Sequence, residues 1–136
     1  MLGAVLVTTT ATAASGSRPV KEHVDLNLVK RTGSTKFQHK GRASGTVKGS
    51  VRSTITLTHS VVLRGTVTIT SPSGKLRMKV EGRARSLSLR TRFSGQATMT
   101  GGTGRYAHAT GTGTFTGVVN RSTWHATIDA KGTLRY

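Results

Sequence analysis

The chain contains no cysteine among its 136 residues, which excludes disulfides, thiolate metal sites and cysteine nucleophiles. Acid is nearly absent too: Glu22, Asp25, Glu81 and Asp129 stand against 21 Lys and Arg, a net charge of +17. Four carboxylates leave little material for paired-carboxylate catalysis or for a hard-metal site. No run of 18 apolar residues occurs, so no membrane-spanning helix is expected. Aromatics make up 4% and hydrophobic residues 34%, too little for the wide apolar stripes of a helical bundle, and the 17 glycines weigh against long helices.

What the chain does have is a period of two. Val24, Leu26 and Leu28 alternate with Asp25 and Asn27. From Phe37 to Leu57 the odd positions are small or apolar and the even ones charged or hydroxylated, with a turn expected near Lys48-Gly49-Ser50. Ser71-Pro72-Ser73-Gly74 and Asn120-Arg121-Ser122-Thr123 are turn signals, the latter accounting for an Asn-x-Ser sequon. The phase flips between Arg85 and Leu87, marking a turn or bulge, after which Leu87, Leu89, Phe93, Ala97 and Met99 share one side. The pattern predicts eight strands near 24–29, 36–47, 51–58, 61–70, 75–84, 87–99, 110–119 and 124–135. Short one-sided strands in succession are best closed into an antiparallel up-and-down β-barrel, which removes the exposed edges. Charges on its outer face keep lipid away from the strands.

The expected organisation is a truncated signal peptide at 1–13, a linker at 14–23 and a single barrel domain at 24–136. The first segment is apolar and reaches Ala11-Thr12-Ala13, a cleavage-like signature without the usual preceding basic residue, so export from the cytoplasm is the expected localisation.

Residues 100–107, TGGTGRYA, satisfy the spacing of a dinucleotide-binding loop. Such a loop must open a helix and be followed by a second parallel strand ending in an acid. Here Thr110-Gly111-Thr112-Gly113-Thr114 follows, a poor helix, and the only downstream acid, Asp129, lies on an outward phase. No cofactor is expected, and Gly101, Gly102 and Gly104 are assigned to a structural turn. The run Gly101, Gly102, Thr103, Gly104, Tyr106, Ala109 and Gly111, before the final hairpin of an eight-strand chain, resembles the allene oxide cyclase and dirigent barrel superfamily. It is most similar there to secreted bacterial members of unassigned function. The resemblance implies a calycin-like barrel, often trimeric, with Tyr106 plugging one end. It also implies an isomerase- or cyclase-like activity if the chain is an enzyme at all.

Candidate site residues are few. His39 and His59 fall on the inward phase, and with Tyr106 and Trp124 they are candidates for the pocket or its rim. Glu22 precedes the first predicted strand, while Asp25, Glu81 and Asp129 point outward, so no carboxylate is expected inside; Glu81 is placed to pair with Lys79 or Arg83. His108 and His125 read as loop-borne or exposed, and no His–carboxylate cluster suggests a metal. Lys75, Arg77, Lys79, Arg83 and Arg85 form a one-face ladder continued by Arg90 and Arg92, suited to an anionic polymer or cell-surface polyanion. The lack of outward aromatics argues against sequence-specific nucleic-acid reading. Three functions stay open: an exported non-enzymatic barrel that holds a small apolar ligand or serves as an extracellular structural module, a non-specific polyanion binder, and a cyclase- or dirigent-like enzyme.

Overall fold

A computed structural model describes residues 17–136. The expected signal peptide, and the first part of the expected linker, lie outside them. Eight antiparallel strands run in chain order: β1 Ser17–Thr32, β2 Lys36–Gly45, β3 Gly49–Thr58, β4 Val62–Ser71, β5 Gly74–Ala84, β6 Arg90–Gly102, β7 Thr110–Asn120 and β8 Ala126–Arg135. Each pairs with its sequence neighbour, and β1 pairs with β8 from Ser17↔Arg135 to Leu26↔Ala126, so the barrel is closed and no edge remains. The connections alternate between two ends. One end carries the β2–β3, β4–β5 and β6–β7 connections; the other carries β1–β2, β3–β4, β5–β6 and β7–β8.

The period of two becomes an inside and an outside. Val20, Leu26, Phe37, Val51, Leu76 and Leu134 are buried, while their sequence neighbours are exposed. Glycine on the inner face makes room for rings. Phe93 faces Gly117 and Phe115 faces Gly95 across the β6–β7 ladder, and a Cβ on either glycine would run into the opposing ring. The two rings meet edge to face with centroids 6.1 Å apart.

Among the strand boundaries that differ from the sequence expectation, three bear on the interior or the surface. Ser17–His23 is strand rather than linker, because Val20 and Glu22 continue the inward phase of Val24 and Leu26. The turn after β2 lies at 46–48, just before the expected position; Thr46 N–H donates to the Lys21 carbonyl there at 2.9 Å. Strand β6 starts at Arg90, not Leu87. The phase flip belongs to a connection, 85–89, in which Leu87 and Leu89 point to solvent.

A cavity in the barrel as candidate functional site

The inward face of the barrel does not fill completely. A cavity of about 180 Å³ remains. Its wall includes Val24 of β1, Phe37 of β2, Val67 of β4, Met78 of β5, Phe93 of β6 and Ile128 of β8, so every side of the barrel contributes apolar surface. For comparison, an apolar cavity of about 150 Å³ engineered into another protein stays dry and holds benzene.

Among the polar residues along this wall, three carry a buried atom with no hydrogen-bond partner: Glu22 Oε1, His39 Nδ1 and Ser53 Oγ. Leaving such an atom unpartnered costs roughly 1–3 kcal/mol. Glu22 overturns the expectation that no carboxylate lies inside. It sits within β1 on the same phase as Val20 and Val24, and the Val47 N–H donates to its Oε2 at 2.6 Å. Burial drives its carboxyl up to about 7, against the opposing pull of the Val47 and Thr46 amides. Because Oε2 accepts the Val47 bond, the neutral acid presents its O–H at Oε1.

His39 is inward, as expected, and is anchored at the other end. Its Nε2–H donates to the Trp124 carbonyl at 2.7 Å, in the β7–β8 connection. Burial lowers its pKa; the Trp124 carbonyl opposes that shift and neighbouring His125 adds to it. The ring is therefore neutral, and Nδ1 offers a lone pair. Ser53 is the residue directly opposite His39 in the β2–β3 register. One end of the cavity thus holds a carboxyl tied to the β2–β3 connection, the other a His–Ser pair, with apolar wall between them.

The remaining expected site residues scatter. Trp124 does line the cavity. Its backbone has φ +62°, unusual for a bulky residue, and its ring lies 4.3 Å from that of Phe37. His59 does not reach the cavity: at φ +52° it is exposed in the β3–β4 turn. Tyr106, in a 3-10 turn at Gly104–Tyr106, is buried at the opposite end from Trp124, its ring 5.2 Å from that of Tyr136. Gly101 and Gly104 have φ of +113° and +58°, and a side chain on Gly102 would collide with the Lys75 carbonyl. The glycine run thus shapes the chain between β6 and β7 and lies outside the cavity wall.

Lys75, Arg77, Lys79 and Arg83 are exposed along β5, with Arg85 just beyond it and Arg90 and Arg92 on β6. Their cross-strand neighbours are uncharged, such as Thr70 beside Lys75, Val62 and Ser94 on either side of Arg83, and Val118 beside Arg92, so none of them neutralises the stripe. Glu81 pairs not with Lys79 or Arg83 but with Arg64 across the β4–β5 ladder, at 3.8 Å and fully in solvent contact. Cross-strand side chains sit closer than those two residues apart on one strand. His125 is loop-borne, as expected, in the β7–β8 connection, and is half-buried there between Asp25 and Asn27 at 2.8 Å each; His23 meets Asp129 at 2.8 Å. Among the described residues no helix is long and apolar enough to cross a membrane. No protein-family model matches this chain, and neither the characterised proteins nor the solved structures compared with it yield a match.

Proposed function

We propose that the barrel holds a small, largely apolar molecule carrying polar groups. The observation that supports this most directly is the cavity itself, whose exposed surface is apolar, with the unpartnered atoms of Glu22, His39 and Ser53 packed just beneath it. A guest gains from apolar contact along the wall, and a small side-chain shift that bares one of those atoms adds a hydrogen bond. Just below neutral pH Glu22 Oε1 can donate, His39 Nδ1 accept, and the Ser53 hydroxyl do either. Such a set suits a compact molecule with a carbonyl or ether oxygen toward Glu22 and a hydroxyl toward His39.

The test is a fluorescence titration with a neutral apolar probe, N-phenyl-1-naphthylamine, on the wild-type protein and on Ala97→Leu and Ala130→Leu. Both alanines line the cavity, and leucine there occupies part of the void. Saturable enhancement in the wild type, lost in at least one folded cavity-filling variant, is the expected result. Equal enhancement in all three proteins places the probe elsewhere and ends the proposal.

A second reading, chemistry on the guest of the kind found in cyclase- and dirigent-like proteins, draws support from Glu22 alone. A carboxyl poised near pH 7 in an apolar cavity suits general acid–base work. Extraction of the purified protein and mass spectrometry separate the two readings: identical guests from wild type and Glu22→Gln favour simple holding, different guests favour turnover.

A further inference from the structure

Among the described residues the exposed large hydrophobics are Val29, Leu87 and Leu89, and the two leucines share the β5–β6 connection. That connection is held firmly. The Ser86 and Ser88 hydroxyls lie 2.8 Å apart, Ser88 Oγ donates to the Arg90 carbonyl at 2.9 Å, and Thr91 Oγ1 donates to the Ser88 carbonyl at 2.6 Å. From the neighbouring β7–β8 connection Arg121 donates its main-chain N–H to the Leu89 carbonyl at 2.7 Å and its guanidinium to the Ser86 carbonyl at 3.1 Å. A slack loop would fold its leucines back onto the barrel. This one keeps them 67% and 60% exposed.

The surroundings are uniformly basic. Arg85 and Arg90 bracket the leucines, Arg83 and Arg92 follow on the adjoining strands, and all four are exposed. No Asp or Glu occurs from residue 82 to residue 128.

We propose that the β5–β6 connection docks the protein on an anionic lipid surface, with Leu87 and Leu89 entering the acyl boundary and the flanking arginines engaging lipid phosphates. An interfacial anchor needs both elements, apolar side chains to insert and cations at headgroup depth. A soluble polyanion engages the arginines and leaves the leucines in water. A second copy of the chain brings the same arginines to the contact, and like charges face each other. Only an anionic bilayer complements both parts of the patch. The proposal is independent of whether the cavity holds a guest.

Co-sedimentation of the protein at physiological salt with phosphatidylcholine vesicles, with and without phosphatidylglycerol, tests it. Partition onto the anionic vesicles alone is expected. Leu87→Ser/Leu89→Ser lowers that partition about tenfold by removing the inserted apolar surface. Arg85→Gln/Arg90→Gln lowers it at least as much, since each cation at an anionic leaflet is worth about fivefold. All four positions are exposed, so the variants keep the wild-type melting temperature. Failure of the wild type to bind overturns the proposal. So does equal partition of the leucine variant, which marks a purely electrostatic polyanion surface. A self-associated species that the leucine changes dissolve in sedimentation velocity, with vesicle binding unaltered, assigns the patch to a second copy instead.

Discussion

Glu22 and His39 give the barrel two buried titrations of opposite sign. The folded protein keeps the Glu22 proton up to about 7, whereas the unfolded chain releases it around 4.5. Between those values the folded state binds more protons, so this residue's contribution to stability is full at acid pH and falls as pH rises; the loss above neutrality is on the order of 3 kcal/mol, reduced where water reaches the carboxyl. His39 works the other way. Its folded pKa lies below the ordinary 6.5, so the unfolded chain takes up the proton first, and its contribution is lost as pH falls below that value. In the wild type the two slopes partly cancel. Urea unfolding between about pH 5 and 8 should therefore show Glu22→Gln rising in stability with pH and exceeding wild type at the alkaline end, while His39→Gln falls with pH. A Glu22→Gln effect of the same size at both ends of the range would mean that the carboxyl does not titrate in the fold. Glu22 was readable in principle, since Val20-x-Glu22-x-Val24-x-Leu26 has one unbroken phase. A strand taken to start at Val24 hid it. His39 lies mid-strand, where neighbours on both sides fix its inward phase.

Connections carry the element-scale information. Arg121, in the β7–β8 connection, reaches Thr91 Oγ1 at 2.9 Å, the Ser60 carbonyl at 3.0 Å and the Ser86 carbonyl at 3.1 Å, tying β6 and the β3–β4 and β5–β6 connections together. Its guanidinium also lies 5.8 Å from the Trp124 ring. Arg121→Ala should cost about 1–3 kcal/mol, since the buried Thr91 hydroxyl and two surface carbonyls lose a charged donor. Amide exchange should quicken at 59–61 and 85–90 while the amides around Tyr106 stay protected; uniform acceleration would count against a local clasp. Sequence placed the hairpin that carries Arg121, because Asn120 Oδ1 caps the turn through the Ser122 and Thr123 amides at 2.8 and 3.4 Å, a local interaction. It also located the phase flip near residue 86, yet gave Leu87 and Leu89 to the strand. Alternation reports that two residues share a side and leaves open whether that side faces the core. Three carbonyls, contributed from 60, 86 and 89, meet one arginine from residue 121, and no local pattern announces such a gathering.

For the whole molecule, a charge of +17 on a closed barrel is a standing repulsion. Raising monovalent salt from about 50 to 500 mM screens it and should raise the melting temperature by several degrees; a salt-independent transition would show the outer face to be neutralised in place. The sequence by itself determined the class of fold. A period of two over most of the chain, punctuated by turn residues and with nearly all charge on one phase, demands one-sided antiparallel strands, and closure is the way for consecutive strands to bury that side without an edge. What only the tertiary structure decided is the interior. A small residue facing inward either receives a ring from the facing strand, as Gly117 receives Phe93, or leaves space, as around Ala97 and Ala130. Which occurs depends on the register of strands far apart in the chain. The same registers bring Glu22 to the Val47 amide and His39 to the Trp124 carbonyl, 25 and 85 residues away, and so set a carboxyl and an imidazole at opposite ends of one apolar space.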